Sequence, residues 1–132
     1  MTRIYFAHAV TDYNTDREST ALAVIRARWP GSTIVNPNAS IHEHGYRRDG
    51  MVYFKSLVEG CAMLVFMRFP NGAIGAGVGK EIQWASDKGL LIREVFGNET
   101  FDVRGKPTPV LSVEQTRAMI RTITAGKFCT KK

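Results

Sequence analysis

A run of glycines precedes a carboxylate in the middle of the chain, and this spacing is the strongest chemical signal in the sequence. The glycines are Gly72, Gly75, Gly77 and Gly79. They lead from an apolar run at 62–67 into Glu81, where a helical pattern begins. A strand, a glycine loop and a helix bring backbone N–H groups and the positive end of a helix dipole up to an anionic ligand. Because a carboxylate is a good nucleophile or base, the loop predicts chemistry beside a phosphate or a sugar.

Two common phosphate-binding motifs do not fit this loop. A Walker loop needs glycine, four residues and then Gly-Lys-Ser/Thr, but Gly79-Lys80 is followed by Glu81, and Ile74 stands where the first glycine belongs. The dinucleotide fingerprint G-x-G-x-x-G fails because the last three glycines are spaced two apart. The residues alone therefore leave an alternative, a flexible turn with Glu81 as a solvated acid in the first helical turn.

Composition indicates an ordinary globular protein. The chain has 132 residues, 44% of them hydrophobic and 23% charged, which predicts a single domain over 1–132. No run of 18 apolar residues occurs, so we expect no membrane partner. The first residues lack a signal-peptide layout, and two cysteines, Cys61 and Cys129, are too few for a disulfide framework. We expect a cytoplasmic protein with reduced thiols.

The net charge of +6 favours anionic partners. No stripe of basic and aromatic residues repeats at regular spacing, so we do not expect nucleic acid as a partner. The positive charge and the glycine loop together favour a phosphorylated small molecule. Arg47 and Arg48 form a basic pair that could clamp a phosphate, although loop arginines are more often simply exposed.

Strand and helix patterns alternate along the first three quarters of the chain. The predicted strands are 3–7, 33–35, 62–67 and 90–95, and the predicted helices are 15–29, 50–59 and 78–88. This alternation predicts one doubly wound α/β domain with a mostly parallel sheet and helices on both faces. Between them, 36–48 reads as a polar loop, and 100–109 as a hairpin or loop around Gly105. A last helix follows the capping box of Ser112 and Gln115.

The segments 7–14, 36–49 and 68–79 follow strands at the edge of the sheet where α/β folds bind ligands. His8, at the end of the first strand, is a candidate substrate contact. Asp49 is a candidate to protonate a leaving group or hold a sugar hydroxyl, or else a plain helix cap.

The histidines that flank Glu43 lack a third ligand at helical spacing. We interpret His42 and His44 as solvated loop residues and expect no metal or redox cofactor.

Three segments together resemble the nucleoside 2-deoxyribosyltransferase family, including its nucleoside-monophosphate N-glycosidase branch. They are IYFAHA at 4–9, the stretch IHEHGYRRDGMVYFKSLVEGCAMLVF at 41–66, and GVGKEIQWASDKGLLI at 77–92. The resemblance covers about residues 3–95, and its specific part is the glycine-to-glutamate segment. Residues 95–132 are divergent, as a hairpin and a C-terminal helix. The chain departs from the family at Met63, at the loop residues Asn71 and Gly75, and at Gln83.

The resemblance implies a flavodoxin-like sheet and cleavage of the base–sugar bond of a nucleoside or nucleoside 5′-monophosphate. It implies Glu81 as the nucleophile and Tyr5 as the tyrosine that orients it. It also implies a homodimer or a higher homo-oligomer. The expected substrate contacts are His8, Asn71, Gly75, Gly77, Gly79, Arg47 and Arg48. The alternatives are a non-catalytic nucleotide-binding protein, since the family's acids and serine are absent, and an NAD-cleaving glycohydrolase.

Overall fold

A five-stranded sheet runs through the molecule in the computed structural model, which describes residues 2–125. Its strands are β1 (Arg3–Ala7), β2 (Thr33–Val35), β3 (Met63–Phe66), β4 (Leu91–Phe96) and β5 (Glu99–Asp102). The order is β2-β1-β3-β4-β5; the first four strands are parallel, and β5 is antiparallel to β4. The predicted fold class, a mostly parallel doubly wound α/β sheet, is confirmed. Residues 1 and 126–132, which include Cys129, lie outside the described part.

Helices cover both faces of the sheet. They are α1 (Asp16–Arg28), α2 (Glu43–Asp49), α3 (Met51–Glu59), α4 (Ala76–Asp87) and α5 (Val113–Thr124), with short 3₁₀ turns at Val10–Asp12 and Ser40–His42. Ala21 and Ile25 of α1 pack with Phe6 and Val65 on one face. On the other face, α3 and α4 pack over a cluster that contains Tyr5. No helix within residues 2–125 is long and apolar enough to cross a bilayer.

The order of the central strands determines which edge of the sheet opens into a crevice. All four side chains of β3 are buried, as expected for a parallel strand covered on both faces. Strands β2 and β3 lie on opposite sides of β1, so the chain winds in opposite directions from this point. A crevice opens beyond the carboxyl ends of the strands at such a reversal.

The segment 36–48 is not the polar loop that the sequence predicted. It contains the 3₁₀ turn and most of α2, and Asp49 is the last residue of α2 rather than the cap of the next helix. Gly50, with φ of 62°, separates α2 from α3 in a conformation that favours glycine. The prediction failed because α2 is short, polar and interrupted by Gly45, and only tertiary packing makes it helical.

The chain reverses after β4 at Gly97, earlier than the predicted turn at Gly105. Strand β5 pairs with β4 over Glu99–Asp102, and the remainder of the 100–109 segment has no regular structure. The predicted capping box of Ser112 and Gln115 is confirmed at the start of α5.

We expect Gly45→Ala to lower the free energy of unfolding. A Cβ atom at Gly45 would lie 2.1 Å from Cε1 of Tyr53, so the tyrosine ring or α2 has to move. Overpacking of this kind costs about 1–3 kcal/mol. The matched control is Gly77→Ala in α4, where no atom lies within 4 Å of the new Cβ and the helix gains up to about 1 kcal/mol. Chemical denaturation of both variants measures the difference, and equal stabilities would contradict the packing.

Candidate active site

Glu81 is buried and contacts the first strand. Helix α4 begins at Ala76 after the N-cap Gly75, which puts Glu81 in the second helical turn. Only 7% of Glu81 is exposed, and Tyr5 Oη donates a 2.6 Å hydrogen bond to its Oε2 atom. The alternative of a solvated acid in the first turn is therefore wrong. Among the described residues, Tyr5 is the only hydrogen-bond partner of this side chain.

The protonation states of the pair follow from burial. Burial raises the pKa of Glu81 to about 7, although the hydrogen bond from Tyr5 offsets part of this effect. Burial and then the charge of Glu81 raise the pKa of Tyr5 far above its usual value, so the phenol stays protonated and donates. Glu81 thus ionises near neutral pH beside a fixed, uncharged donor.

A cavity of about 560 Å³ opens at the carboxyl edge of the sheet, and Glu81 lies in its wall. This volume is within the range of roughly 300–1,000 Å³ that is typical of small-molecule sites. Its aromatic and large apolar lining comes from Tyr13, Tyr46, Phe54, Phe69, Val10, Val78, Met51 and Ile120. Its polar lining comes from His8, Asn38, Ser40, His42, Glu43, Glu81 and Thr116. No lysine or arginine is among the described residues that line it.

A buried polar network fixes one wall of the cavity. His8 Nε2 lies 2.8 Å from Glu18 Oε2, and His8 Nδ1 lies 3.0 Å from the carbonyl oxygen of Phe6. Glu18 also accepts hydrogen bonds from the Asn14 amide and from Asn38 Nδ2. Burial by itself would raise the pKa of Glu18, but these hydrogen bonds outweigh it and lower that pKa. The network ties β1, α1 and the loop after β2 together.

Tyr13 is a cavity residue that the sequence did not reveal. Its ring lies 5.1 Å from that of His8, and no described residue forms a hydrogen bond with its hydroxyl. Burial, followed by the charge of Glu81, raises the pKa of the Tyr13 phenol, which keeps this hydroxyl protonated.

The predicted glycine loop is shorter than expected, because α4 starts two residues before the predicted helix. Gly75 and Gly77 line the cavity, and the backbone beside Gly77 is open. Gly79 does not line it; a Cβ there would lie 2.7 Å from Val110 Cγ1. The N–H of Ala76 is already bonded to Thr116 Oγ1 at 2.8 Å.

Five other predicted site residues are not among those that line the cavity. One is Tyr5, which contacts the lining residue Glu81, and the others are Asn71, Arg47, Arg48 and Asp49. Asn71 is exposed, and its side chain accepts a hydrogen bond from the Ala73 amide within the turn after β3. Arg47 pairs with Glu43 at 2.7 Å, and Arg48 pairs with Asp49 at 3.0 Å, all on exposed side chains. Their roles in binding or catalysis stay predictions.

His42 was interpreted from the sequence as a solvated loop residue, which is wrong. It is partly buried, lines the cavity, and lies 2.7 Å through Nδ1 from Tyr53 Oη. In the sequence, only the position of His42 after β2 indicated that it lies at the edge of the sheet where such folds bind ligands. His44 is exposed, as expected. Within residues 2–125, no three His, Cys, Asp or Glu side chains cluster as metal ligands.

Comparisons with known proteins support the fold. No family model and no curated protein matches the chain. A solved structure described as "2-desoxiribosyltransferase from Leishmania mexicana" is similar over 92% of this chain and 98% of that one. The TM-score is 0.51 and the sequence identity is 15%. The chain therefore has the fold of that 2-deoxyribosyltransferase, and the likeness at this identity is one of fold alone.

Removal of the Glu81 charge should change how stability depends on pH. Because the pKa of Glu81 is about 7 in the folded protein and 4.5 as the reference value, the folded state holds an extra proton between these values. The stability from this group is complete below the lower value and is lost as pH rises through the upper one. The Glu81→Gln variant does not lose stability in this way as the pH rises. Its melting temperature relative to the wild type should therefore increase between about pH 5 and about pH 8. Thermal unfolding measures this, and a constant difference would contradict the shifted pKa.

Proposed function

We propose that the protein cleaves the bond between a nucleobase and a sugar, with Glu81 as the nucleophile. The observation that carries this proposal is a buried carboxylate, held by Tyr5 at 2.6 Å, in the wall of a cavity of about 560 Å³. The fold shared with a 2-desoxiribosyltransferase supports the same reaction class.

The geometry suits a two-step reaction. Tyr5 binds Oε2 of Glu81, which leaves Oε1 for attack on the anomeric carbon of the sugar. The carbon–nitrogen bond breaks, its electron pair stays on the base, and a glycosyl ester forms on Glu81. Water then cleaves the ester in a hydrolase, or a second base cleaves it in a transferase. Burial assists the attack because a desolvated carboxylate is held without competing hydrogen bonds.

The lining of the cavity favours a substrate without a phosphate. Tyr13, Tyr46, Phe54 and Phe69 offer aromatic surface to a base, and no described lysine or arginine lines the cavity. The basic net charge suggested a phosphorylated substrate, but Arg47 and Arg48 are exposed and paired with carboxylates. We therefore propose a nucleoside as the preferred substrate, with the nucleoside 5′-monophosphate as the second choice.

Two other functions, an NAD-cleaving glycohydrolase and a non-catalytic nucleotide-binding protein, are compatible with the same cavity. The products that the protein releases distinguish them from the proposed function. A panel of nucleosides, nucleoside monophosphates and NAD is incubated with the protein, and released base is measured by chromatography. Base released from a nucleoside supports the proposal. Nicotinamide released from NAD alone indicates a glycohydrolase, and tight binding without any release indicates a nucleotide-binding protein.

Glu81→Gln should lower turnover by several orders of magnitude, the scale of losses when a covalent catalyst is removed. The amide keeps the size of the side chain and can still accept the hydrogen bond from Tyr5. Glu43→Gln is the matched control, because Glu43 also lines the cavity but its side chain is 62% exposed and paired with Arg47. The control should keep most of the turnover. Near-normal base release by the Glu81 variant would rule out its role.

The second comparison concerns the phosphate. At matched ionic strength, kcat/KM for a nucleoside should equal or exceed that for its 5′-monophosphate. The reason is that the described residues lining the cavity include no cationic side chain that could supply a charge-assisted contact to the phosphate. Arg47→Ala and Arg48→Ala should leave this ratio unchanged. A preference for the monophosphate of roughly tenfold or more, about one charge-assisted contact, would overturn the assignment. Loss of that preference in either variant would place the phosphate on α2.

A further inference from the structure

One side chain, that of Tyr53, forms a hydrogen bond with His42. Its Nδ1 atom lies 2.7 Å from Tyr53 Oη, and the two rings are 5.7 Å apart and tilted by 54°. No other described residue bonds the Tyr53 hydroxyl. When this hydroxyl donates to Nδ1, both groups are satisfied and the ring proton of His42 lies on Nε2. The Nε2–H group then has no hydrogen-bond partner among the described residues, and His42 is one of the residues that line the cavity.

Two glycines in and after α2 permit the contact between Tyr53 and His42. The Tyr53 ring packs on α2 where Gly45 has no side chain, since any Cβ there would lie 2.1 Å from the ring. The break at Gly50 lets α2 and α3 fold against each other, which brings Tyr53 beneath His42. A glycine inside a seven-residue helix weakens the helix, so its presence here needs a packing reason.

His42 is also in a suitable charge state. Burial lowers the pKa of the imidazole below its usual value, so the ring is neutral at physiological pH. A neutral imidazole with its proton on Nε2 is a hydrogen-bond donor that adds no positive charge to the cavity. His42 and Glu81 line the same cavity, in segments that follow β2 and β3 respectively.

We propose that His42 stabilises the departing nucleobase by donating a hydrogen bond from Nε2, and that Tyr53 is the positioning residue that fixes this donor. The inference rests on the proposed function, because it assigns a role in that reaction. It also gives the base a polar contact in a cavity whose lining includes four aromatic side chains, Tyr13, Tyr46, Phe54 and Phe69.

The electrons and protons balance without a change in the protonation of His42. A Glu81 oxygen bonds to the anomeric carbon, and the carbon–nitrogen electron pair passes to the base. The base leaves as an anion whose charge is stabilised by the His42 N–H group. Water or an acceptor base then cleaves the ester, and the proton that it loses passes to the departed base.

The test is the dependence on the leaving group. His42→Ala should lower kcat for a neutral purine nucleoside by roughly 10²-fold, the effect of removing one donor to developing negative charge. A purine nucleoside that carries a cationic, N-methylated base releases a neutral base and should lose far less. His42→Gln, which restores an N–H donor, should recover part of the lost rate. Equal losses for both substrates would overturn the proposal.

The matched control is His44→Ala, two residues along on the exposed side of α2. It should leave both rates unchanged. Thermal unfolding of all three variants identifies any that fail to fold, in which case His42→Phe, which keeps a ring but removes the donor, replaces His42→Ala.

Tyr53→Phe tests the positioning role, because it keeps the ring on Gly45 and removes only the hydroxyl. The ¹⁵N spectrum of His42 should show a fixed tautomer in the wild type and a mixture in the variant, with a rate loss confined to the neutral base. An unchanged tautomer of His42 and an unchanged dependence of the rate on the leaving group would overturn the positioning role of Tyr53.

Failure of the proposed function is distinguishable from failure of this inference. If the wild type cleaves no nucleoside, free purine is titrated against the Glu81→Gln protein with and without His42→Ala. Weaker binding after removal of His42 supports the contact even without catalysis. Unchanged binding overturns the contact.

Discussion

The hydrogen bond between Tyr5 and Glu81 is the constraint on which the site depends. A buried carboxylate loses most of its hydration, and the single 2.6 Å bond from a neutral phenol replaces only part of it. The carboxylate is therefore kept near its ionisation point instead of being paired with a cation. Tyr5 is fully buried in β1, so its hydroxyl group stays in the protein interior beside Glu81. The free-energy cost of burying this carboxylate is offset by the hydrophobic core on the same face of the sheet.

The position of Glu81 follows from the packing of α4. Val78, Ile82 and Ala85 form the stripe that faces the sheet, and Glu81 lies at the border of this stripe. One glycine near the start of the helix, Gly79, allows a close approach that another residue would prevent, because a Cβ there would lie 2.7 Å from Val110 Cγ1. Gly79 permits the strand-like segment around Val110 to pass beside α4, and this segment leads into α5. The C-terminal helix thereby contributes Thr116 and Ile120 to the cavity wall.

The sequence predicted the parts of the fold that local patterns determine. β1 and β2 have their predicted bounds, and Glu81 and Tyr5 meet as the resemblance implied. The failures are non-local. Tyr53 of α3 packs against Gly45 of α2, and β5 pairs with β4, and no local pattern in the sequence signals either contact. Likewise, no periodicity marks Tyr13, Asn38 or Thr116, because the cavity is assembled from segments that are distant along the chain.

The positive net charge of the chain is not reflected among the described residues that line the cavity, for a physical reason. Lysine and arginine side chains remain hydrated at the surface, where Arg47 and Arg48 pair with nearby carboxylates. The cavity instead contains Glu81, Glu43, two histidines and hydroxyl groups. A cation near Glu81 would lower its pKa, and in the proposed reaction a paired carboxylate would have to break that pair before it could attack the sugar. In the proposed reaction, uncharged donors such as Tyr5 and the His42 N–H group orient the reacting atoms without this penalty. The described residues that line the cavity, which include no lysine or arginine, fit such a reaction.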